Sequence, residues 1–174
     1  GLGRIGEAVA MRARGFGMKV LYSSRTPKPE FEAKFGRGIQ AVTLETLLQK
    51  SDIITIHAPL TAATKGMIGR QQFSLIKPSA ILINTARGPI VDEAALCSAL
   101  ESGQLAGAGL DVFCEEPINS RNPLLKLKNL VVAPHIGSAT KETREKMVEI
   151  VVENIQAHFE GRKPPTLVNM EVLR

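Results

Sequence analysis

The chain has 174 residues, an apolar fraction of 44% and a formal charge of +5, which is the size of one globular domain with enough apolar side chains for an ordinary core. No apolar run approaches the roughly 18 residues of a membrane span and no basic-then-apolar leader precedes the first motif, so a soluble, cytoplasmic protein without a membrane partner is expected. Lys and Arg are scattered among Asp and Glu rather than gathered on one face, which disfavours nucleic acid; Cys97 and Cys114 lack paired spacing or neighbouring histidines, so neither a metal site nor a disulfide framework is indicated.

Gly1-Leu2-Gly3-Arg4-Ile5-Gly6 matches G-x-G-x-x-G, whose glycines permit a tight turn and let backbone N–H groups approach a pyrophosphate at a helix N-terminus. Nothing upstream supplies the strand that should feed this turn, so the sequence reads as truncated at its N-terminus. Ile5, Val9, Ala13 and Phe16 recur at helical spacing and Gly15 and Gly17 end that helix. Residues 19–23 read as a buried strand, followed by a polar, proline-containing loop over 25–30. In this motif class an acidic residue after the second strand binds the ribose 2′-hydroxyl, while an arginine there accommodates a 2′-phosphate. Ser23-Ser24-Arg25-Thr26 offers no carboxylate, and Arg25 with the neighbouring hydroxyls suits a phosphate, so NADP(H) is preferred, with NAD(H) as the alternative.

Residues 39–43 predict a short strand, 44–49 a helix, and 52–57 a strand ending near Pro59. Residues 80–84 have the continuous apolar character of a strand covered on both faces. Asp92 caps a helix carrying Ala95, Leu96, Ala99 and Leu100 and closed by Gly103; residues 107–112 and 130–133 are two more strands. Ser138 or Thr140 starts a last helix with Met147, Val151, Ile155 and Phe159 on one face, stopped by Gly161 and Pro164-Pro165. This alternation predicts an α/β fold with a doubly wound parallel sheet of Rossmann type, in which ligands lie beyond the carboxyl ends of the strands. Ser24, Arg25, His57, Thr85, Arg87, Asp111, Glu116 and His135 all follow or end apolar runs, as that rule requires. An arginine at Arg87 either pairs with a structural carboxylate or presents its planar fork to an anion. His57 reads equally as a core histidine or a cofactor contact, His158 as structural, and both cysteines as packing residues.

The runs NTARGPIVDEAAL, AGAGLDVFCEEP and VVAPHIGSAT after the opening GLGRIG resemble, in order and spacing, the signatures of the D-isomer-specific 2-hydroxyacid dehydrogenase family. The resemblance covers essentially the whole chain, and the Ser24-Arg25 turn and HIGSAT ending look most like its glyoxylate, hydroxypyruvate and 2-ketogluconate reductases. It implies that Arg87 holds the substrate carboxylate and carbonyl, that His135 exchanges the proton, and that Glu116, directly before a proline, orients His135. A carboxylate there favours the charged imidazole by attraction between opposite charges. It also implies cofactor contacts from Gly3, Arg4, Ile5, Gly6, Ser24, Arg25, Pro59, Thr64, Thr85, Ala86, Arg87, Asp111, His135, Gly137 and Ser138. The implied substrate is a small 2-oxoacid such as glyoxylate or hydroxypyruvate, reduced to the D-2-hydroxyacid by a homodimer. Residues 1–155 would be the cofactor domain, lacking its first strand, and 156–174 a helix end and tail returning toward a substrate domain that this sequence does not contain. The gap left by the absent strand is expected to leave the isolated chain unstable or inactive. Rival readings are a 3-phosphoglycerate dehydrogenase-like enzyme, which usually has an acidic residue where Ser24 stands, and a cofactor-sensing corepressor-like binding protein of the same superfamily. A formate dehydrogenase is disfavoured, because those relatives are expected to have glutamine where Glu116 stands.

Overall fold

A computed structural model describes residues 1–173. The chain falls into two compact units, Gly1–His135 and a second from Ile136 onward.

In the first unit, helix α1 (Arg4–Gly15) follows the glycine turn, with Gly3 as its N-cap and Phe16 as its C-cap. Phe16 was expected on the apolar face; as the capping residue it turns away and is 86% exposed, and Gly17 adopts the left-handed φ of +70° that ends the helix. Strand β1 (Val20–Tyr22) leads through the Ser24–Pro27 loop to α2 (Pro29–Phe35), a helix whose first two residues fall in the loop expected over 25–30 and whose remainder carries no expected element. Two prolines hid it, yet Pro29 stands at the first helical position, where its missing N–H costs nothing, and Phe31 and Phe35 bury one side. Strand β2 (Ile39–Ala41) pairs in parallel with β1, and Leu2, Ala10, Tyr22, Phe31 and Phe35 form a small core around the pair.

Helix α3 (Leu44–Lys50), capped by the Thr43 hydroxyl, precedes strand β3 (Ile53–Ile56). A short helix α4 (Arg70–Phe73) precedes β4 (Ile81–Asn84). Helix α5 (Glu93–Glu101) starts where Asp92 accepts the Ala95 N–H, as the sequence predicts, and β5 (Gly107–Leu110) and β6 (Leu130–Val132) follow. The order is β3-β4-β5-β6, all parallel, and the main core lies on this sheet around Leu82, Leu96, Leu105 and Phe73. Coverage of β4 is less complete than expected: Leu82 is sealed while Ile81 is 42% exposed.

No hydrogen-bonded ladder joins β1 to β3 among the described residues. Gly1 lies between their carboxyl ends: its amino group donates to the Ser23 carbonyl at 2.9 Å, and a Cβ on Gly1 would meet the Ala58 nitrogen and His57 carbonyl at 2.7 Å.

The second unit contains α6 (Lys141–Phe159), capped by Thr140, which accepts from the Thr143 N–H. Its Met147, Val151, Ile155 and Phe159 face is exposed. Among the described residues no helix is long and apolar enough to cross a membrane.

Candidate active site

Parallel strands send their carboxyl ends to one edge, and the polar residues singled out from the sequence emerge there: His57 after β3, Thr85 and Arg87 after β4, Asp111 after β5 and His135 after β6. Glu116 and His135 meet directly. His135 Nδ1 lies 2.6 Å from Glu116 Oε2, and the other carboxylate oxygen accepts the Phe113 N–H at 3.0 Å. These two bonds, with the positive charges of His135 and Arg87, hold the Glu116 carboxyl below the usual carboxylate range, against a smaller opposing effect of burial. His135 sits at φ +55°, a left-handed conformation uncommon outside glycine though less so for histidine, Asn and Asp. That geometry turns its ring onto Glu116 and leaves Nε2 as the nitrogen outside the pair.

Arg87 is carried by a turn whose shape comes from Asn84, the fully buried last residue of β4. The Asn84 side chain accepts the Ala86 N–H and donates to the Arg87 carbonyl, each at 3.0 Å. The exposed guanidinium meets the Ala86 carbonyl at 2.5 Å. Gly88 follows because the chain passes against the residues after β5: a Cβ there would lie 2.0 Å from the Phe113 carbonyl carbon. Asn84 went unnoticed in the sequence, although an asparagine closing an apolar strand before a turn was the available signal.

The glycine turn fits a dinucleotide phosphate. Gly6 needs its bare Cα, since a Cβ would lie 2.3 Å from the Gly1 oxygen, whereas the space beside Gly3 is open. Among the described residues no side chain caps α1, and the first N–H groups of a helix, here those of Arg4, Ile5 and Gly6, lack intrahelical partners and can receive an anion. Ile5 is 69% exposed at this end. His57 packs near Gly6, and burial, with a smaller effect of the Gly1 amino charge, pushes its imidazole toward the neutral form. Ser24 and Arg25 are exposed in the loop after β1, where the Ser24 hydroxyl donates to the Thr26 carbonyl at 2.6 Å. Thr64 holds its own turn together, accepting from the Thr61 N–H and donating to the Pro59 carbonyl. Asp111 is buried at the end of β5. Gly137 and Ser138 belong to the second unit.

Neither cysteine suits nucleophilic chemistry. Burial and the nearby Glu93 push the Cys114 thiol up to about 11, and burial, with Glu101, raises Cys97. Among the described residues no group of three His, Cys, Asp or Glu side chains gathers around a common point.

Parallel strands, an uncapped glycine turn and polar residues clustered past the carboxyl ends define a dinucleotide-binding domain of Rossmann type. The family described as D-isomer specific 2-hydroxyacid dehydrogenase, NAD binding domain, matches residues 1–137, and the chain belongs to it. It is 57% identical over 173 residues to a glyoxylate reductase of Thermococcus litoralis, covering 99% of this chain and 51% of that protein. Among solved structures it superposes on a D-lactate dehydrogenase with NAD+ from Lactobacillus jensenii with a TM-score of 0.88 and 35% identity, over 97% of this chain and 54% of the other. An acyclic imino acid reductase in complex with NADPH and D-Arg gives a TM-score of 0.84 at 37% identity, over 97% and 52% of the two chains. The chain thus spans about half the length of the curated relatives it matches.

Proposed function

We infer that the protein containing this chain reduces a small 2-oxoacid, such as glyoxylate or hydroxypyruvate, to the D-2-hydroxyacid. The observation that carries this reading is the 2.6 Å pairing of Glu116 with His135 at the edge where Arg87 also emerges. A bound nicotinamide cofactor supplies the hydride. Arg87 holds the substrate carboxylate and draws on the carbonyl oxygen through its planar fork. Glu116 fixes the ring through Nδ1, so that His135 delivers its proton from Nε2 to the oxygen as negative charge develops there.

Gly3, Arg4, Ile5 and Gly6 receive the pyrophosphate. Pro59, Thr64, Thr85, Ala86 and Asp111 line the nucleotide, with Gly137 and Ser138 beside the nicotinamide. Ser24 and Arg25 favour NADPH over NADH: no carboxylate stands in the Ser24–Thr26 turn to repel a 2′-phosphate. Residues 1–155 act as the cofactor domain and 156–174 as the tail returning toward the substrate domain, in a cytoplasmic homodimer. The test is oxidation of NADPH and NADH by the full-length protein with glyoxylate, hydroxypyruvate and 2-ketogluconate offered separately. Rapid NADPH-dependent reduction of one of them is the expected result; tight cofactor binding without turnover on any would replace the enzyme by a cofactor-sensing binding protein.

A further inference from the structure

We propose that Glu93 is a positioning residue for the acid–base pair, anchoring at two points the loop that carries Glu116. This rests on the function inferred above. Glu93 is the first residue of α5, directly after the Asp92 cap, and is partly buried. One of its carboxylate oxygens accepts the Cys114 N–H at 2.6 Å; the other accepts the Asn122 side-chain amide at 3.2 Å. Cys114 and Asn122 stand on either side of Glu116, so a single carboxylate ties both ends of its loop to a helix of the core. Asn122 is itself fixed, its Oδ1 accepting the Leu124 N–H at 3.0 Å.

The Phe113–Cys114 peptide is the common reference of the site. The Phe113 N–H goes to Glu116, the Cys114 N–H goes to Glu93, and Gly88, next to Arg87, packs flat against the same peptide. Arg87 and the Glu116–His135 pair are therefore set relative to each other through one peptide unit, and Glu93 stops that unit from turning. Hydrogen bonds to an ionised carboxylate are about twice as strong as neutral ones, so two on one side chain form a firm anchor.

The test uses the full-length protein. Glu93→Ala removes both anchors; Glu93→Gln keeps an acceptor for the Cys114 N–H and loses the one facing Asn122. For Glu93→Ala we expect kcat to fall by about tenfold or more, as a misplaced catalytic group costs, while the Kd for NADPH stays within about twofold, and Glu93→Gln to recover part of the loss. The Glu116 carboxyl, followed by carbon NMR and flanked by the charges of His135 and Arg87, should titrate closer to the ordinary carboxylate range in Glu93→Ala. Unchanged kcat and an unchanged Glu116 titration in folded Glu93→Ala would overturn the proposal. If Glu93→Ala does not fold, Glu93→Gln is judged by the same readings at smaller amplitude. The titration needs no substrate, so it decides the role of Glu93 even if the unsubstituted protein reduces no 2-oxoacid, a result that would count against the proposed function instead.

Discussion

His135 carries a left-handed backbone and a 2.6 Å contact through Nδ1 to Glu116 that leaves Nε2 outside the pair, and both features serve the proton it is proposed to deliver. The pH dependence follows from Glu116. Its folded pKa is depressed, so the pair's contribution to stability is fully present above the unfolded carboxyl's value and is lost only as pH falls through the lowered folded value. The difference in Tm between the full-length protein and Glu116→Gln should hold steady from neutral pH down to the ordinary carboxylate range and shrink below it. It should also be small, because both partners are more than a third exposed and water screens the charges. A difference that grew as pH fell would contradict the assigned pair. Arg25→Ala should raise the Kd for NADPH more than that for NADH; equal losses would remove Arg25 as the 2′-phosphate contact.

At the scale of elements, the regular parts were legible in the residues. Asp92 announces a helix start, and Thr140, one of two candidates with Ser138, proves to cap the last helix; both accept an N–H three residues on. The helix α2 was not legible: its seven residues are too few to show a period, and Pro29 at its start, with Pro27 just before it, mimics a loop. Of the proposed site, the positions of Arg87 and His135 past strand ends were legible because each is a polar residue after an apolar run, whereas Glu116 was singled out from its neighbour Glu115 only through the family resemblance. Glu93 and Asn84 were not legible, since their partners are a backbone N–H and a side-chain amide distant in sequence, or backbone groups hidden in a turn, and such pairings become visible only when the chain is folded. Gly88→Ala should force β4's turn away from the Phe113–Cys114 peptide and cost about 1–3 kcal/mol of stability, with a disproportionate loss of kcat; a normal kcat would show that this contact does not set the site. Leu96→Ala, at a fully buried position of α5, should cost about 2–5 kcal/mol in urea unfolding of the full-length protein and leave the Kd for NADPH unchanged.

For the whole molecule, two sheets stand where one continuous doubly wound sheet would serve; among the described residues no strand pairs with β3 on the side facing away from β4, and Ile53 is half-exposed. The chain also spans about half of its curated relatives' length. Residues 1–174 expressed alone are therefore expected to show no 2-oxoacid reduction, and measurable turnover by them would contradict this. The central claim concerns the acid at His135, and it is tested most directly by comparing NADPH-dependent glyoxylate reduction in the full-length protein and its His135→Ala variant, with the NADPH Kd measured alongside. The predicted result is a fall of about 10²–10⁴-fold in kcat at an unchanged Kd; a variant as fast as the parent would remove His135 from the chemistry.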